Sequence, residues 1–498
     1  MSAARLGLVA GPLVALAALL LPLPDGMPEA GRRTGAVTLL MAVWWITEAL
    51  PIAATALLPV FLFPLLGILP TAETCAAYGD KTNFFFFGGL VIASAVERWG
   101  LHRRIALGVM VRIGGAPRQI ILGFMTATAL ISMWASNTAT TMMMLPIALA
   151  VLDHFERRVP EAGHAIAPAL MLAIAYAASI GGVGTLVGTP PNVIFAGALE
   201  QLHPEAPAVG FGAWMLIGVP IVVVMIPVTW LYLTRVAFRV PATSAADEGA
   251  VLRRELAALG PMSAPERRVL AVFAATAFLW IFRADLDLGV AVLPGWSRVL
   301  PDPAAVDDTV IALAMATLLF VLPAGRDGAA LLGEDWARRI PWHVLVLLGG
   351  GFALAAGVQA SGLAAWAAGL LTGLEGMPAP LVVLVVVLLA AGLSEFTLNS
   401  AITALMMPIL AASAVGLELD PRLLMVPATL AASFTFMMPG GTAPNAMVFA
   451  SGRLTVAQMA RAGLGVKVIG LAVVVGVFFL TGLAALGIAP TGTPSWAE

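Results

Sequence analysis

Charged residues are scarce in this chain, and cysteine and histidine are scarcer still. Only 11% of the 498 residues are charged and 60% are hydrophobic, with a mean hydropathy of +0.97, which excludes an ordinary soluble domain. The single cysteine, Cys75, excludes an internal disulfide framework, and the five histidines lack metal-ligand spacing. We therefore expect lipid as the main solvent, no zinc or iron site, no organic cofactor and, without a basic stripe, no nucleic-acid partner.

Long apolar segments are what the chain has in abundance. A helix needs about 20 apolar residues to cross a bilayer, and eleven segments of suitable length predict an all-α polytopic membrane protein. They lie near 6–23, 34–50, 51–69, 84–99, 167–200, 212–234, 268–283, 308–323, 343–371, 422–450 and 463–488.

The first of these segments, within an N-terminal region 1–33, has two interpretations. It follows Arg5 and could be a signal peptide, but its apolar run is long for one and Met27 to Ala30 is a poor cleavage site. We favour a retained first helix.

The distribution of arginine predicts the orientation in a cell (inner) membrane, because Arg and Lys favour cytoplasmic loops. One set of loops carries Arg5, Arg103, Arg104, Arg112, Arg118, Arg157, Arg158, the Arg235 to Arg268 loop, Arg326, Arg338, Arg339, Arg453 and Arg461. The opposite loops carry Glu200, Glu205, Asp285, Asp287, Asp302, Asp307, Asp308, Glu375, Glu418 and Asp420, with Arg32 and Arg33 as exceptions. This pattern places the N-terminus in the cytoplasm and the C-terminus outside.

Two apolar stretches, 119–152 and 380–415, are too long for one span, and each begins and ends among charges of one sign. They predict re-entrant helical hairpins, the first entering from inside and the second from outside. Ser136-Asn137-Thr138 and Asn399-Ser400 would form the tips, at a depth where non-helical backbone must be buried in protein or line a cavity.

The regions between and after the spans are less apolar. Residues 97–118 predict an amphipathic surface helix, with an ordinary connecting loop as the alternative. The segment 235–267 is a cytoplasmic linker that divides the chain into two halves, and 489–498 is a C-terminal tail.

The two halves, 34–234 and 268–488, resemble each other in sequence. At an offset of 262 residues Gly88-Gly89 aligns with Gly350-Gly351, Gly100-Leu101 with Gly362-Leu363, Asn137 with Asn399 and Pro146 with Pro408; at about 254, Ala178-Ser179 aligns with Ala432-Ser433, and Thr189, Pro191 and Asn192 with Thr442, Pro444 and Asn445. Five crossings per half turn the second copy upside down. Inverted repeats of this kind place a transporter's binding site at the membrane midplane.

Four breaks in the helices indicate where that site lies. Two are the hairpin tips; the others are Gly181 to Asn192 and Pro439 to Asn445. Half-helix N-termini attract anions and freed carbonyls can bind sodium. A single break is more often a structural kink, but four in symmetric pairs favour a site for a small anion, held without Arg, Lys or His.

Glu395 is the one carboxylate predicted at membrane depth, where a charge is costly. It either supports the hairpin tip and tunes cation binding or bonds neighbouring backbone amides in a structural role. Asp80 and Lys81 are predicted to be interface anchors.

At these motifs the chain resembles the divalent anion/sodium symporter family, whose members carry dicarboxylates, citrate or sulfate. Ser136-Asn137-Thr138 resembles the family's Ser-Asn-Thr signature, and Ser394-Glu395-Phe396-Thr397-Leu398-Asn399-Ser400 its second copy. The resemblance covers nearly the whole chain and implies a homodimer with scaffold and transport domains that work by an elevator mechanism.

The resemblance also implies ligands, position by position. One sodium ion would be bound by Ser132, Ser136, Asn137 and Gly188, and a second by Ser394, Thr397, Asn399 and Gly441. The anion would contact Ser136, Asn137, Thr138, Thr189, Asn399, Ser400, Thr442 and Ala443. Two positions depart from the family: Leu398 replaces a Ser, and Ala443 stands where Pro is common.

The expected function is sodium-coupled symport of a small divalent anion, foremost a C4-dicarboxylate. Sodium-independent anion exchange and sulfate transport by the same fold are the alternatives. An intramembrane enzyme is disfavoured because no carboxylate, His or Cys is paired into a catalytic set, and a channel because the breaks suggest closed coordination sites.

Overall fold

The computed structural model describes residues 3–22, 25–158, 160–242, 249–287, 291–325, 328–369 and 376–497, and it is mostly helical. The helices of the first half and the linker are α1 (Ala3–Leu20), α2 (Glu29–Thr47), α3 (Ile52–Ala56), α4 (Leu58–Leu65), α5 (Thr71–Tyr78), α6 (Lys81–Arg98), α7 (Leu101–Ile113), α8 (Pro117–Ser132), α9 (Asn137–Arg158), α10 (Pro160–Gly182), α11 (Pro190–Leu202), α12 (Phe211–Leu231) and α13 (Gly249–Ala258). The second half contains α14 (Ala264–Ile281), α15 (Asp308–Val321), α16 (Trp342–Ala360), α17 (Leu363–Gly369), α18 (Ala379–Ser394), α19 (Asn399–Gly416), α20 (Pro421–Ala432), α21 (Ala443–Ala450), α22 (Val456–Val477) and α23 (Leu483–Leu486).

Two short strands, β1 (Leu286–Asp287) and β2 (Val292–Leu293), pair antiparallel between α14 and α15. Several parts of the predicted scheme lie outside the described residues: the end of the first span at Leu23, the end of the span 343–371, the loop charges Arg326 and Glu375, linker residues 243–248 and the last residue of the tail.

The described helices support a multi-pass membrane protein. Six are long and apolar enough to cross a bilayer: Ala3–Leu20, Ala165–Gly182, Phe211–Ala237, Trp342–Ala360, Asn399–Gly416 and Val456–Leu486. A seventh span arises if Thr71–Arg98 and Leu101–Ile113, which meet at 70°, count together. Other predicted spans consist of shorter apolar helices, such as α15 and α20, so the count of eleven stays a prediction.

The helices differ greatly in how far the protein itself covers them. In α10, 94% of the apolar window is buried, whereas in α1 only 11% is. An apolar helix enclosed by protein belongs to the centre of the molecule, and one that is left exposed suits a lipid-facing position. The broken segment that α10 begins is therefore central. The first helix lies at the periphery, where it packs on α2 and the Trp44 indole donates to the Gly7 carbonyl at 3.0 Å.

The run α6 to α11 has the same order of elements as the run α16 to α21. Each begins with a long helix, turns sharply into a shorter one, continues as a helix-turn-helix and ends in a broken helix. The sharp turns use Gly100 and Gly362, whose φ angles are +69° and +72°. Glycine adopts this left-handed conformation without steric cost. This explains why Gly100 and its counterpart 262 residues later, Gly362, are both glycine.

The two helix-turn-helix units have the lengths predicted for the hairpins 119–152 and 380–415. The first is α8 and α9 with a turn at 133–136, and the second is α18 and α19 with a turn at 395–398. Both pack on the broken helix of their own half, α8 and α9 on α10, and α18 and α19 on α20. That they are re-entrant stays a prediction, as do the repeat boundaries.

The segment 97–118 contains the helix α7, and the linker contributes contacts to it. Arg103 pairs with Glu255 at 2.7 Å and Arg104 with Glu266 at 2.8 Å. Glu266 also completes a capping box with Ser263 at the start of α14, which satisfies two helix N–H groups. The basic side chains of α7 therefore hold it against the junction of the linker and the second half.

Candidate functional site

The first hairpin tip gathers oxygen atoms around one hydroxyl. The Ser132 hydroxyl, fully buried at the end of α8, lies 2.6 Å from the Asn137 side-chain oxygen and 2.8 Å from the Ala178 carbonyl. One hydroxyl proton can satisfy only one of these acceptors at a time. Three oxygens that share a single hydrogen suit a cation better than a closed hydrogen-bond network. We call these three residues the first oxygen cluster.

The second tip has an equivalent arrangement built from different residues. The Thr435 hydroxyl lies 2.9 Å from the Asn399 side-chain oxygen and 3.2 Å from the Ser394 carbonyl. We call Thr435, Asn399 and Ser394 the second oxygen cluster. The Ser394 hydroxyl instead donates within its own helix, to the Ala391 carbonyl at 3.1 Å. Thr435 thus takes the contact that Ser132 makes in the first half.

The two broken helices are held open by matching asparagines. Asn192 donates its side-chain amide to the carbonyls of Gly182 and Thr185, at 3.1 and 2.7 Å. Asn445 donates to the carbonyls of Thr435 and Met438, at 3.2 and 3.1 Å. These bonds satisfy carbonyls that the interrupted helices leave free. Within the described residues both asparagine side-chain oxygens are buried without a hydrogen-bond partner.

Gly188 and Gly441, both predicted sodium ligands, lie where no side chain fits. A Cβ atom at Gly188 would collide with the Gly182 carbonyl, and one at Gly441 would collide with the Thr435 side chain. A Cβ at Gly182 would lie 2.7 Å from the Asn137 side-chain oxygen. Close approach of backbone to the two clusters therefore requires glycine.

Four helix N-termini meet at one cavity between the tips. Residues from the first turns of α9, α11, α19 and α21 line it, and its volume is about 270 Å³. The partial positive charge and free N–H groups of a helix N-terminus attract anions, so four together compensate for the lack of Arg and Lys in the lining. The first turns of α9 and α19 contain no proline, whereas Pro190 and Pro191 remove two donors from α11.

The structure brings all eight predicted anion ligands to this cavity. They are Ser136, Asn137, Thr138, Thr189, Asn399, Ser400, Thr442 and Ala443. Of the predicted sodium ligands, Gly188 and Gly441 also line it, while Ser132, Ser394 and Thr397 lie behind it, at most 7% exposed. The Thr397 hydroxyl is buried without a partner within the described part of the chain. That these residues bind an anion and sodium stays a prediction.

The opposite wall of the cavity is apolar except for one histidine and comes from other helices. Phe86, Leu90 and Leu347 belong to α6 and α16, and Ile52 begins α3. His343, in the first turn of α16, is the one ionisable side chain in the lining. Sequence reasoning missed it because it lies in no broken helix, and its position at the start of an apolar span was its only signal.

Glu395, at the second tip, accepts hydrogen bonds from three backbone N–H groups and forms an ion pair. One carboxylate oxygen accepts from the Phe436 N–H at 3.1 Å, and the other accepts from Met437 and Met438 at 3.1 and 3.3 Å. Lys467 of α22 pairs with it at 2.7 Å. Lys467 was not among the predicted site residues, although a lone lysine inside the predicted span 463–488 is a signal of functional importance.

The two residues predicted as interface anchors, Asp80 and Lys81, lie near the C-terminal end of α11, whereas the N-terminus of α11 is at the cavity. Asp80 caps α6 by accepting from the Thr82 N–H at 2.8 Å. Lys81 pairs with Glu200 at the end of α11, at 2.5 Å. Lys81 therefore joins α6 to the broken helix of the first half.

Apolar spans, two oxygen clusters and a cavity at four helix N-termini are the features expected of a membrane protein with an internal site for a small anion. In the described residues no group of three or more His, Cys, Asp or Glu side chains could hold a metal ion. These features are those of the secondary transporter class.

A family model described as "Sodium:sulfate symporter transmembrane region" matches residues 3–485, and the chain belongs to this family. Among its relatives is a "Sodium-dependent dicarboxylate transporter SdcS" of Staphylococcus saprophyticus, 41% identical over 97% of this chain and 92% of the relative. The protein of the same description from Staphylococcus aureus is 40% identical over the same shares.

Two solved structures share the fold at low sequence identity. One is MtrF of Neisseria gonorrhoeae, described among antimetabolite efflux pumps, with a TM-score of 0.60, 15% identity, and coverage of 99% of this chain and 97% of MtrF. The other is the YdaH transporter of Alcanivorax borkumensis, with a TM-score of 0.57, 17% identity, and coverage of 90% and 99%. Their likeness shows the overall fold of this chain.

Proposed function

We propose that this protein is a secondary active transporter that couples sodium to the symport of a small divalent anion, foremost a C4-dicarboxylate. The observation that carries the proposal is the arrangement at the tips, where two oxygen clusters lie directly behind a cavity formed by four helix N-termini. The names of relatives at 40–41% identity support the same coupling ion and substrate class.

The oxygen clusters provide the coupling. Sodium at the first cluster would bind the Ser132 hydroxyl oxygen, the Asn137 side-chain oxygen and the Ala178 carbonyl. The last two lie 2.6 and 2.8 Å from the Ser132 hydroxyl. Asn137 and Asn399 belong to the clusters and also line the cavity. A cation held by the oxygen of each amide fixes that residue and adds positive charge beside the anion, so sodium and anion binding favour each other.

An elevator mechanism suits the contrast between the two walls of the cavity. The tips and broken helices carry most of the polar contacts, whereas the facing wall from α6 and α16 is apolar except for His343 and includes Gly89. In this proposal the transport domain, α8 to α11 with α18 to α22, moves past a scaffold of the remaining long helices. Eleven spans, two re-entrant hairpins, a homodimer and a cytoplasmic N-terminus in the cell membrane complete the proposal.

Sulfate is the second candidate substrate. Leu398 places an apolar side chain in the cavity lining, where the first half has the hydroxyl of Ser136. A smaller anion needs fewer donors at that end, and the family description names sulfate.

Uptake into proteoliposomes separates these functions. Purified protein would be tested with radiolabelled succinate, citrate and sulfate, with an inward sodium gradient or with potassium in its place. The proposal expects uptake of succinate above the other anions and only with sodium. Equal uptake in potassium that requires anion inside the vesicles would instead establish an exchanger, and no uptake of any divalent anion would reject the proposed substrate class.

A further inference from the structure

We propose that Glu395 and Lys467 are positioning residues for the second oxygen cluster, so that cation binding at this cluster, and not at the first, depends on a buried ion pair. The proposal rests on the sodium coupling proposed above and concerns which residues hold its second site in place.

The pair is buried and fully engaged. Glu395 is 5% exposed and Lys467 6%. Besides its 2.7 Å contact with Glu395, the Lys467 ammonium donates to the Ala391 carbonyl. Two opposite charges that satisfy each other can remain inside a protein, whereas either charge alone would be costly there. Lys467 thus supplies the opposite charge that the buried Glu395 carboxylate needs.

Glu395 organises the unwound segment after α20. Its two oxygens accept from three consecutive N–H groups, those of Phe436, Met437 and Met438. An unwound segment at this depth needs a partner for each such donor. Thr435, the centre of the second cluster, directly precedes these residues, so its position depends on how Glu395 holds the segment.

Lys467 also contacts the cluster from behind. The Ala391 carbonyl that accepts from Lys467 also accepts from the Ser394 hydroxyl at 3.1 Å. Ser394 provides the carbonyl that lies 3.2 Å from the Thr435 hydroxyl. The ion pair therefore supports the cluster from two directions, through the segment 436–438 and through the last turn of α18.

Among the described residues, no ion pair supports the first cluster in this way. Met133 occupies the position that corresponds to Glu395 at the 262-residue offset. Its carbonyl accepts from the Thr185 hydroxyl at 2.5 Å, so a neutral contact fixes the first tip. The two clusters are otherwise alike, which makes the first one an internal comparison for the second.

The test is the sodium dependence of succinate uptake by Lys467→Met and Glu395→Gln in proteoliposomes, normalised to folded transporter. We expect the half-maximal sodium concentration to rise about tenfold or more, as loss of residues that orient metal ligands generally does. The Hill coefficient for sodium should fall towards one, because one cluster still works. At saturating sodium, the KM for succinate should stay within about twofold, because a change at one site usually has no larger effect on a second site that is not coupled to it.

A matched control is the buried ion pair of Asp420 and Arg422, which lie 2.6 Å apart at the start of α20. Arg422→Met should lower thermal stability without changing the sodium curve. Lys467→Arg should keep the sodium curve close to that of the unchanged protein. If Lys467→Met does not fold, the double variant Glu395→Gln with Lys467→Met, which removes both charges, replaces it and should show the same rise.

The proposal is overturned if the folded variants keep the half-maximal sodium concentration and Hill coefficient of the unchanged protein, even when they are less stable. It is also overturned if Arg422→Met shifts the sodium curve equally. A different failure, in which the unchanged protein shows no sodium dependence at all, would instead reject the proposed coupling on which this inference depends.

Discussion

Replacing Leu398 with serine should change both the start of α19 and the choice of anion. Leu398 lies at the N-cap of α19, makes no side-chain capping bond and lines the cavity. Its counterpart at the 262-residue offset is Ser136, whose hydroxyl accepts from the Ala139 N–H at 3.2 Å. Leu398→Ser therefore gives the second tip the cap that the first tip already has.

The expected change in stability is small because two effects oppose each other. A serine N-cap contributes about 0.5–2 kcal/mol. Complete burial of a leucine is worth about 1.5–3 kcal/mol, and Leu398 is only half-buried beside an open cavity, so roughly half of that is lost. We expect the free energy of unfolding to change by less than about 1 kcal/mol.

The change in anion preference should be larger. A serine hydroxyl can accept from a helix N–H and donate to the anion at once. A hydrogen bond to a charged group contributes about 1.5–3 kcal/mol, and 1.4 kcal/mol is about a factor of ten in affinity. Leu398→Ser should therefore favour succinate over sulfate by about tenfold relative to the unchanged protein.

Competition between unlabelled succinate and sulfate against labelled substrate measures this ratio in both proteins. Leu398→Ala is the control, since it removes the apolar side chain without adding a hydroxyl and should leave the ratio nearly unchanged. An unchanged ratio in Leu398→Ser, with stability retained, would show that this position does not contact the anion. An equal shift in Leu398→Ala would show that the effect comes from removing the leucine side chain and not from adding a hydroxyl.

Three further predictions follow from the site. Asn137→Ala and Asn399→Ala should each abolish uptake in protein that still purifies as a folded species, because each amide belongs to an oxygen cluster and to the cavity; normal uptake in either would reject the two-tip site. Ala443→Pro should raise the KM for succinate about tenfold with little loss of stability, because proline suits the first turn of a helix but removes a donor, as Pro190 does; an unchanged KM would exclude that N–H as a ligand. Cys75, which is exposed, should react with an impermeant maleimide added outside cells, and reaction only after permeabilisation would reverse the proposed orientation.

The positions of the tips and of the broken helices could be predicted from the sequence because their signals are local. A Pro-Asn pair after a run of glycines interrupts a helix wherever the fold places it. The same residues recur at a nearly fixed offset, which is how Asn137 and Asn399 could be recognised as partners. The structure places both at turns that line one cavity.

The contacts that cross between distant segments could not be predicted in this way. Thr435 reaches Asn399 across 36 residues of sequence, and Ser132, which makes the equivalent contact in the first half, lies at neither repeat offset. Lys467 reaches Glu395 across 72 residues. Such pairs depend on how helices pack, which neither periodicity nor spacing specifies.

The arrangement of spans was predictable in outline only. The sequence predicts a span at 51–69, where the structure has the two short helices α3 and α4. Pro51, Pro59 and Pro64 are the physical reason, because proline removes a backbone donor and favours helix starts and breaks. Apolar composition predicts that lipid surrounds the chain, but it does not predict where an apolar helix is interrupted.

The central claim is that a sodium gradient drives transport through the cavity between the two tips. Its most direct test is uphill accumulation: proteoliposomes are loaded with labelled succinate at the external concentration, and an inward sodium gradient is then imposed. We predict that internal succinate rises above the external level and returns when a sodium ionophore is added, and that Asn137→Ala and Asn399→Ala show no rise. Succinate that exchanges across the membrane at equal concentrations, without accumulating under the gradient, would contradict the claim.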